Sequence, residues 1–320
     1  MNMRAMLVLL IALVLIVPPD VRGNPGGVGN SLEDMQCGGA CHGDANQNAS
    51  SNLQFSLQSA GTVWVGQPAE ITVQVSGLES SHDLDQLGIF LLSSTNANGD
   101  IPTTDGWSIL SDGRGGSNNY IEYASVESEI LTHSWILRAD EIGEKTLYVS
   151  VHHGDNTGSD AGSPFFGVSQ AFTLSIEPIP ENLQRLDSDY QPPTSREIGE
   201  TTKLCVPTIA AENVVIEWRE LAGQAYELET TQNNQCWEAE LPAALMESTI
   251  EWRAVLDGEG PQQTTPWFPL TSAEPSWEAN ETALMLQSIA HIIFFFGLVI
   301  LVRKPKSKDD HYKDYMEENI

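Results

Sequence analysis

Within residues 37–42 the chain reads Cys37-Gly38-Gly39-Ala40-Cys41-His42. Two thiols followed at once by an imidazole are what covalent haem attachment needs. Each cysteine sulfur adds to one vinyl group of the porphyrin, and the adjoining His42 is held under the iron as its axial ligand. The usual gap between the two cysteines is two residues. Here it is three, filled by two glycines and an alanine, whose small size makes the longer gap sterically easy. Two other chemistries fit the same residues. In an oxidising compartment Cys37 and Cys41 could close a small disulfide, or the two thiolates and His42 could share a zinc ion with a second histidine.

The elements around this motif place it outside the cell membrane. Arg4 and the apolar run from Met6 to Val17, ending at the small residue Gly23, read as a secretory signal over residues 1–23. Residues 283–302 are long and apolar enough to cross a bilayer once. Arg303, Lys304, Lys306 and Lys308 follow, a cluster that belongs on the cytoplasmic side. The sequence therefore predicts a single-pass plasma-membrane protein with residues 24–282 outside and the tail 303–320 inside.

Charge supports that division. The chain carries 44 acidic and 15 basic residues, a formal net charge of −29. Seven of the basic residues fall in the signal and tail, which leaves eight for the exported part. Such a surface repels nucleic acid and anionic headgroups, so nucleic acid is excluded as a partner.

Strand signals dominate the exported part, with β-branched and aromatic residues alternating against polar ones between Gly, Asn, Asp and Ser clusters. The fold class expected is all-β: two β-sandwiches followed by one transmembrane helix. The first sandwich is expected over residues 50–178, with 24–49 as a Cys/His extension. A Pro-containing linker over 179–195 leads to the second, over 196–272, and a juxtamembrane stretch over 273–282. Cys205 and Cys236 form the evident disulfide of the second sandwich, with Trp218, Trp237 and Trp252 expected to fill the core beside it. The triplet Glu-Trp-Arg occurs at 217–219 and again at 251–253.

The order of cues over residues 24–178 resembles a known family. A Gly- and Pro-rich lead, Asn24-Pro25-Gly26-Gly27-Val28-Gly29, precedes the Cys/His motif. Next come Val65-Gly66-Gln67-Pro68-Ala69-Glu70-Ile71-Thr72-Val73-Gln74-Val75, then Tyr120-Ile121-Glu122-Tyr123-Ala124-Ser125, Ser134-Trp135-Ile136-Leu137 and Gly143-Glu144-Lys145-Thr146-Leu147-Tyr148. This half of the chain is similar to the exported proteins called choice-of-anchor V, related in fold to Reeler-type β-sandwiches. The second module resembles Ig-like or fibronectin-like modules. The family resemblance implies a Cys-x-x-Cys-His haem site and a C-terminal anchor that differs among members. Many members carry His where this chain has Tyr123, so a distal iron ligand would have to come from elsewhere.

His152 and His153, at the end of the strand expected over 145–151, are the best substitutes; His133, His82 and Met35 rank behind them. Successive strand side chains face opposite ways, so only one of the pair could reach a given haem. The plainer expectation for a strand end is that both are solvated. The functional expectation is a membrane-anchored, extracytoplasmic monohaem c-type protein that carries single electrons to an unidentified redox partner. The alternative is a cofactor-free surface binding or adhesion protein with Cys37 and Cys41 bonded to each other. No hydrolase signature is present: the sequence has no Gly-x-Ser-x-Gly and no His-Glu-x-x-His.

Overall fold

The computed structural model describes residues 49–78, 86–95, 100–124, 126, 128–154, 165–233, 236–274 and 281–302. The described residues between 49 and 274 form one compact unit; the helix over 281–302 belongs to another. Among the described residues the architecture is all-β with one apolar helix.

The first sandwich is built from β1 Ala49–Ser50, β2 Gln54–Ser59, β3 Val63–Trp64, β4 Pro68–Ser76, β5 Gln86–Leu92, β6 Trp107–Ser111, β7 Tyr120–Ala124, β8 Ile130–Ala139, β9 Gly143–Gly154, β10 Phe165–Val168 and β11 Phe172–Glu177. One sheet has the order β2-β4-β8-β6. In the other, β9 is central, with β5 and then β7 on one side. On its other side β10 pairs with the second half of β9 and β11 with the first half. β1 runs parallel to β10, and β3 parallel to β11. Alternation fixes which face turns inward, because side chains switch sides at every residue. In β4 the inward residues Ile71, Val73 and Val75 are fully buried, as are Leu147, Val149 and Val151 in β9, and these six meet across the sandwich in a single core.

The second sandwich comprises β12 Arg185–Leu186, β13 Ser195–Glu197, β14 Thr202–Val206, β15 Thr208–Ile209, β16 Asn213–Glu220, β17 Tyr226–Leu228, β18 Thr231–Asn233, β19 Cys236–Leu241, β20 Ser248–Asp257, β21 Gln263–Thr264 and β22 Phe268–Ala273. Its sheets have the orders β13-β22-β20-β16-β17 and β14-β19-β18, the places of the G-F-C-C′ and B-E-D strands of an Ig-like sandwich. In the first sandwich the chain crosses between sheets for β6, back for β7 and again for β8. In the second, β16 and β17 pair as neighbours before one crossing to β18.

Two expectations change. The disulfide Cys205–Cys236 is present as expected, with Cα atoms 5.4 Å apart, and it joins β14 to β19 within one sheet. Cys205 pairs in register with Glu238 and lies on the outer face, while its neighbours Leu204 and Val206 point into the core. The tryptophans therefore pack away from the sulfurs: Trp252 is fully buried against Phe268, Trp237 is buried, and Trp218 is half-buried beside Tyr226.

The expected linker is also built into the fold. Leu183, Gln184 and Leu186 are buried, β12 pairs with β15, and Leu186 belongs to the second core. The junction is tied by the side-chain amide of Gln67, which donates to Leu186 O at 3.1 Å and accepts from Leu186 N at 3.1 Å, as a strand's peptide group would. Leu110 and Ile136 of the first sandwich pack into the second core. Arg138 donates to the carbonyls of Ser188 and Tyr190, and Thr271 to that of Arg114.

The Glu-Trp-Arg triplets prove to be partners. β16 and β20 pair antiparallel so that Glu217 faces Arg253, Trp218 faces Trp252 and Arg219 faces Glu251. An antiparallel strand pair reverses one copy against the other, so the repeat produces two ion pairs, each 2.6 Å. Both guanidiniums also sit against the Trp267 ring, at 4.0 and 4.3 Å from its centre.

The helix α1, Glu281–Val302, carries an apolar stretch over Thr282–Ile300, none of it buried, which is long enough to cross a bilayer.

Candidate functional site

Cys37, Cys41 and His42 lie outside the described residues, as do Met35 and His82. The structure does show where the chain goes after the motif. Ala49, seven residues beyond His42, opens β1. β1 pairs with β10, setting Ala49 opposite Phe165 and Ser50 opposite Phe166. β10 in turn sets Phe165 opposite His153 and Phe166 opposite His152. Seven extended residues span at most about 25 Å, so His42 is tethered within that distance of Ala49, which lies two strands from the histidines.

Neither histidine is solvated. β9 continues through Gly154, and His152 and His153 are 1% and 0% exposed. The sequence missed this because imidazoles next to a Gly-Asp turn read as a strand end, whereas strand pairing on both sides of β9 covers them. The two point to opposite faces. His153 lies on the side of Leu147, Val149 and Val151. Its ring stacks on Phe165, with planes 3° apart and centres separated by 4.8 Å, and its Nε2 is 3.0 Å from Ser51 Oγ.

His152 lies on the outward side, together with Phe90, Leu92, Tyr120, Tyr148 and Phe166. Its ring is 5.1 Å from Phe90 and 5.2 Å from Phe166, both in tilted or edge contact. A solvated sheet face would carry polar side chains at these positions. This face instead packs aromatic and aliphatic side chains around one buried imidazole. Among the described residues no group of three His, Cys, Asp or Glu side chains is placed to hold a metal ion.

His133 is committed elsewhere. Its Nε2 is 2.7 Å from Asp112 O and its Nδ1 is 3.1 Å from Tyr123 Oη. The neutral ring satisfies both contacts, donating through Nε2–H and accepting from the Tyr123 hydroxyl. Burial pushes its pKa down to about 4; the Asp112 carbonyl opposes that shift and the nearby Arg114 adds to it. Burial also raises the Tyr123 pKa, offset in part by Arg114, whose guanidinium lies 4.7 Å above the phenol ring. The loop that closes on His133 is shaped by the Asp112 carboxylate, which accepts from the backbone N–H groups of Arg114, Gly116 and Asn118. Gly113, at φ +77°, lets it approach; a Cβ there would stand 2.9 Å from Ser134 O and 3.0 Å from the imidazole. Tyr123 thus holds His133 by hydrogen bond.

No family model matches the chain, and no curated protein sequence matches it. Among solved structures it is similar to the N-terminal Ig1-2 module of Drosophila receptor protein tyrosine phosphatase DLAR, at 11% identity and TM-score 0.26, over 70% of this chain and 100% of that one. A titin tandem of Ig domains A164-A165 aligns over 70% of this chain and 100% of its own at 10% identity and TM-score 0.24. Dimeric latent PorU from Porphyromonas gingivalis aligns over 70% of this chain at 10% identity and TM-score 0.26, and the chain spans 20% of PorU's length. These likenesses lend no weight to any particular role.

Proposed function

We propose that the protein is a membrane-anchored, extracytoplasmic monohaem c-type cytochrome-like electron carrier of the choice-of-anchor V kind. The observation that carries this reading is the connection between motif and sheet. The chain that bears Cys37, Cys41 and His42 leads into β1, which pairs with β10, the strand beside His152 and His153. Cys37 and Cys41 would hold the haem through thioether bonds and His42 would ligate its iron. His152 and His153, on opposite faces of β9, are the candidates for the opposite ligand.

A bound haem would supply a one-electron Fe(III)/Fe(II) couple. The protein's part is to orient the ring against Phe90 and Phe166, keep water from one face and set the potential through burial. The single apolar helix serves as the anchor, with the sandwiches outside and the basic tail on the cytoplasmic side. The acidic surface favours a redox partner with a basic docking face.

The test is expression in a host that carries haem-ligation machinery, followed by mass measurement of the peptide containing residues 37–42. A peptide heavier by one haem, with Soret absorption that survives acid-acetone extraction, is the expected result. A colourless protein with Cys37 bonded to Cys41 overturns it and leaves a cofactor-free binding protein.

A further inference from the structure

Where the two sandwiches meet, the surface folds inward into a cleft of about 580 Å³, within the size range of small-molecule sites. Trp64 and Glu70 line it from the first sandwich, Arg253, Gln263 and Trp267 from the second, and Arg185 from the connecting strand. Its walls are fixed from behind. Gln67 binds both backbone groups of Leu186, and the buried Gln184 amide donates to the carbonyls of Gly260 and Pro261 at 3.1 and 2.8 Å. Arg253 is held by Glu217, and Trp267 is stacked against two guanidiniums. A cleft braced in this way is preorganised, so a ligand would not have to order it.

The chemistry of the lining is selective. Trp64 is half-buried and presents a flat indole, whose negative face attracts the C–H edge of a sugar ring. Glu70 and Gln263 offer planar acceptors and donors suited to adjacent hydroxyls. Arg185 brings a positive charge to the cleft. In a chain with 44 acidic residues it donates to Leu183 O, and among the described residues no carboxylate lies within ion-pair distance of it. A guanidinium without a carboxylate in so acidic a protein is suited to a ligand's carboxylate, which it can grip with two parallel hydrogen bonds.

We infer that this cleft binds an acidic saccharide, a pyranose chain bearing uronic carboxylates, with Arg185 taking a carboxylate and Trp64 stacking on a ring. The site is separate from the proposed haem face and does not depend on it.

Calorimetric titration of the detergent-solubilised full chain tests the proposal, with tetragalacturonate as the acidic probe and cellotetraose as the neutral one. Tetragalacturonate is expected to bind the more tightly, and Arg185→Gln to weaken it by about tenfold or more, the value of a charge-assisted hydrogen bond, while leaving any neutral binding unchanged. Thr264→Trp, at an exposed position of the lining, fills the cleft without removing a packed group and should abolish binding of both probes. Equal affinity for the two probes overturns the proposal. So does binding that survives Thr264→Trp, or the absence of any saccharide binding at millimolar concentration.

Discussion

The two sandwiches differ most on the outward faces of their equivalent central strands. In the first, the outward residues of β5 and β9 include Phe90, Leu92, Ser150 and His152, all buried. In the second, the outward residues of β16 and β20 include Glu217, Arg219, Glu251 and Arg253, interlocked as ion pairs and capped by Trp267. The second face is complete in itself: each charge has its partner within the sheet. The first is composed like an interior, closed by apolar and aromatic packing. The contrast is between a face closed by charge pairs and one closed by apolar contacts.

The same kind of substitution should act oppositely on the two faces. Leu92→Asp places an unpaired carboxylate on a side chain position with no exposure and is expected to cost about 4 kcal/mol or more. The double replacement of Glu217 and Arg253 by Leu should stay within about 1 kcal/mol of the parent, because half-exposed ion pairs contribute little and tolerate apolar exchange. Denaturant unfolding checks both, and a mild Leu92→Asp would erase the distinction.

Acid should act on the first sandwich through His133. Its folded pKa, about 4, lies below the unfolded value of 6.5, so the unfolded state binds the extra proton. The stability tied to the neutral ring is complete above pH 6.5 and is lost as pH falls through 4, amounting to about 3 kcal/mol at most. His133→Gln should flatten the stability-versus-pH curve in that window; an unchanged slope would show that the ring titrates freely. The second sandwich answers instead to reduction. Cys205→Ser with Cys236→Ser should lower stability by about 3 kcal/mol, the usual effect of opening a loop of this size. Since the bond lies on the outer face, the core packing of Trp252, read by its fluorescence maximum, should not change. Gln67→Leu should cost about 2 kcal/mol by leaving both backbone groups of Leu186 unpaired. The smallest effect expected is the coupling of Glu217 to Arg253 in a double-mutant cycle, about 1 kcal/mol or less.

Most strands could be read from alternation: residues 69–75 became β4 Pro68–Ser76, and 249–255 became β20 Ser248–Asp257. What escaped was set by contacts distant in sequence. Segment 179–195 has the prolines of a linker, yet Leu186 is buried because Gln67, 119 positions earlier, meets its backbone. The cysteine pair could be chosen from composition, but whether it bridged the sheets depended on which strands became neighbours. His152 and His153 were noticed as residues, while their burial came from β5 and β10 on either flank of β9. The Glu-Trp-Arg repeat was visible and its meaning was not, since an antiparallel register cannot be seen in a linear string.

The Gln67 amide at the junction has a mechanical corollary. A peptide-like splice between the modules, reinforced by Arg138 and Thr271, leaves no swivel there, because rotation would break buried hydrogen bonds together. The two sandwiches should therefore tumble in solution with a single correlation time, as one body and not as two beads on a string.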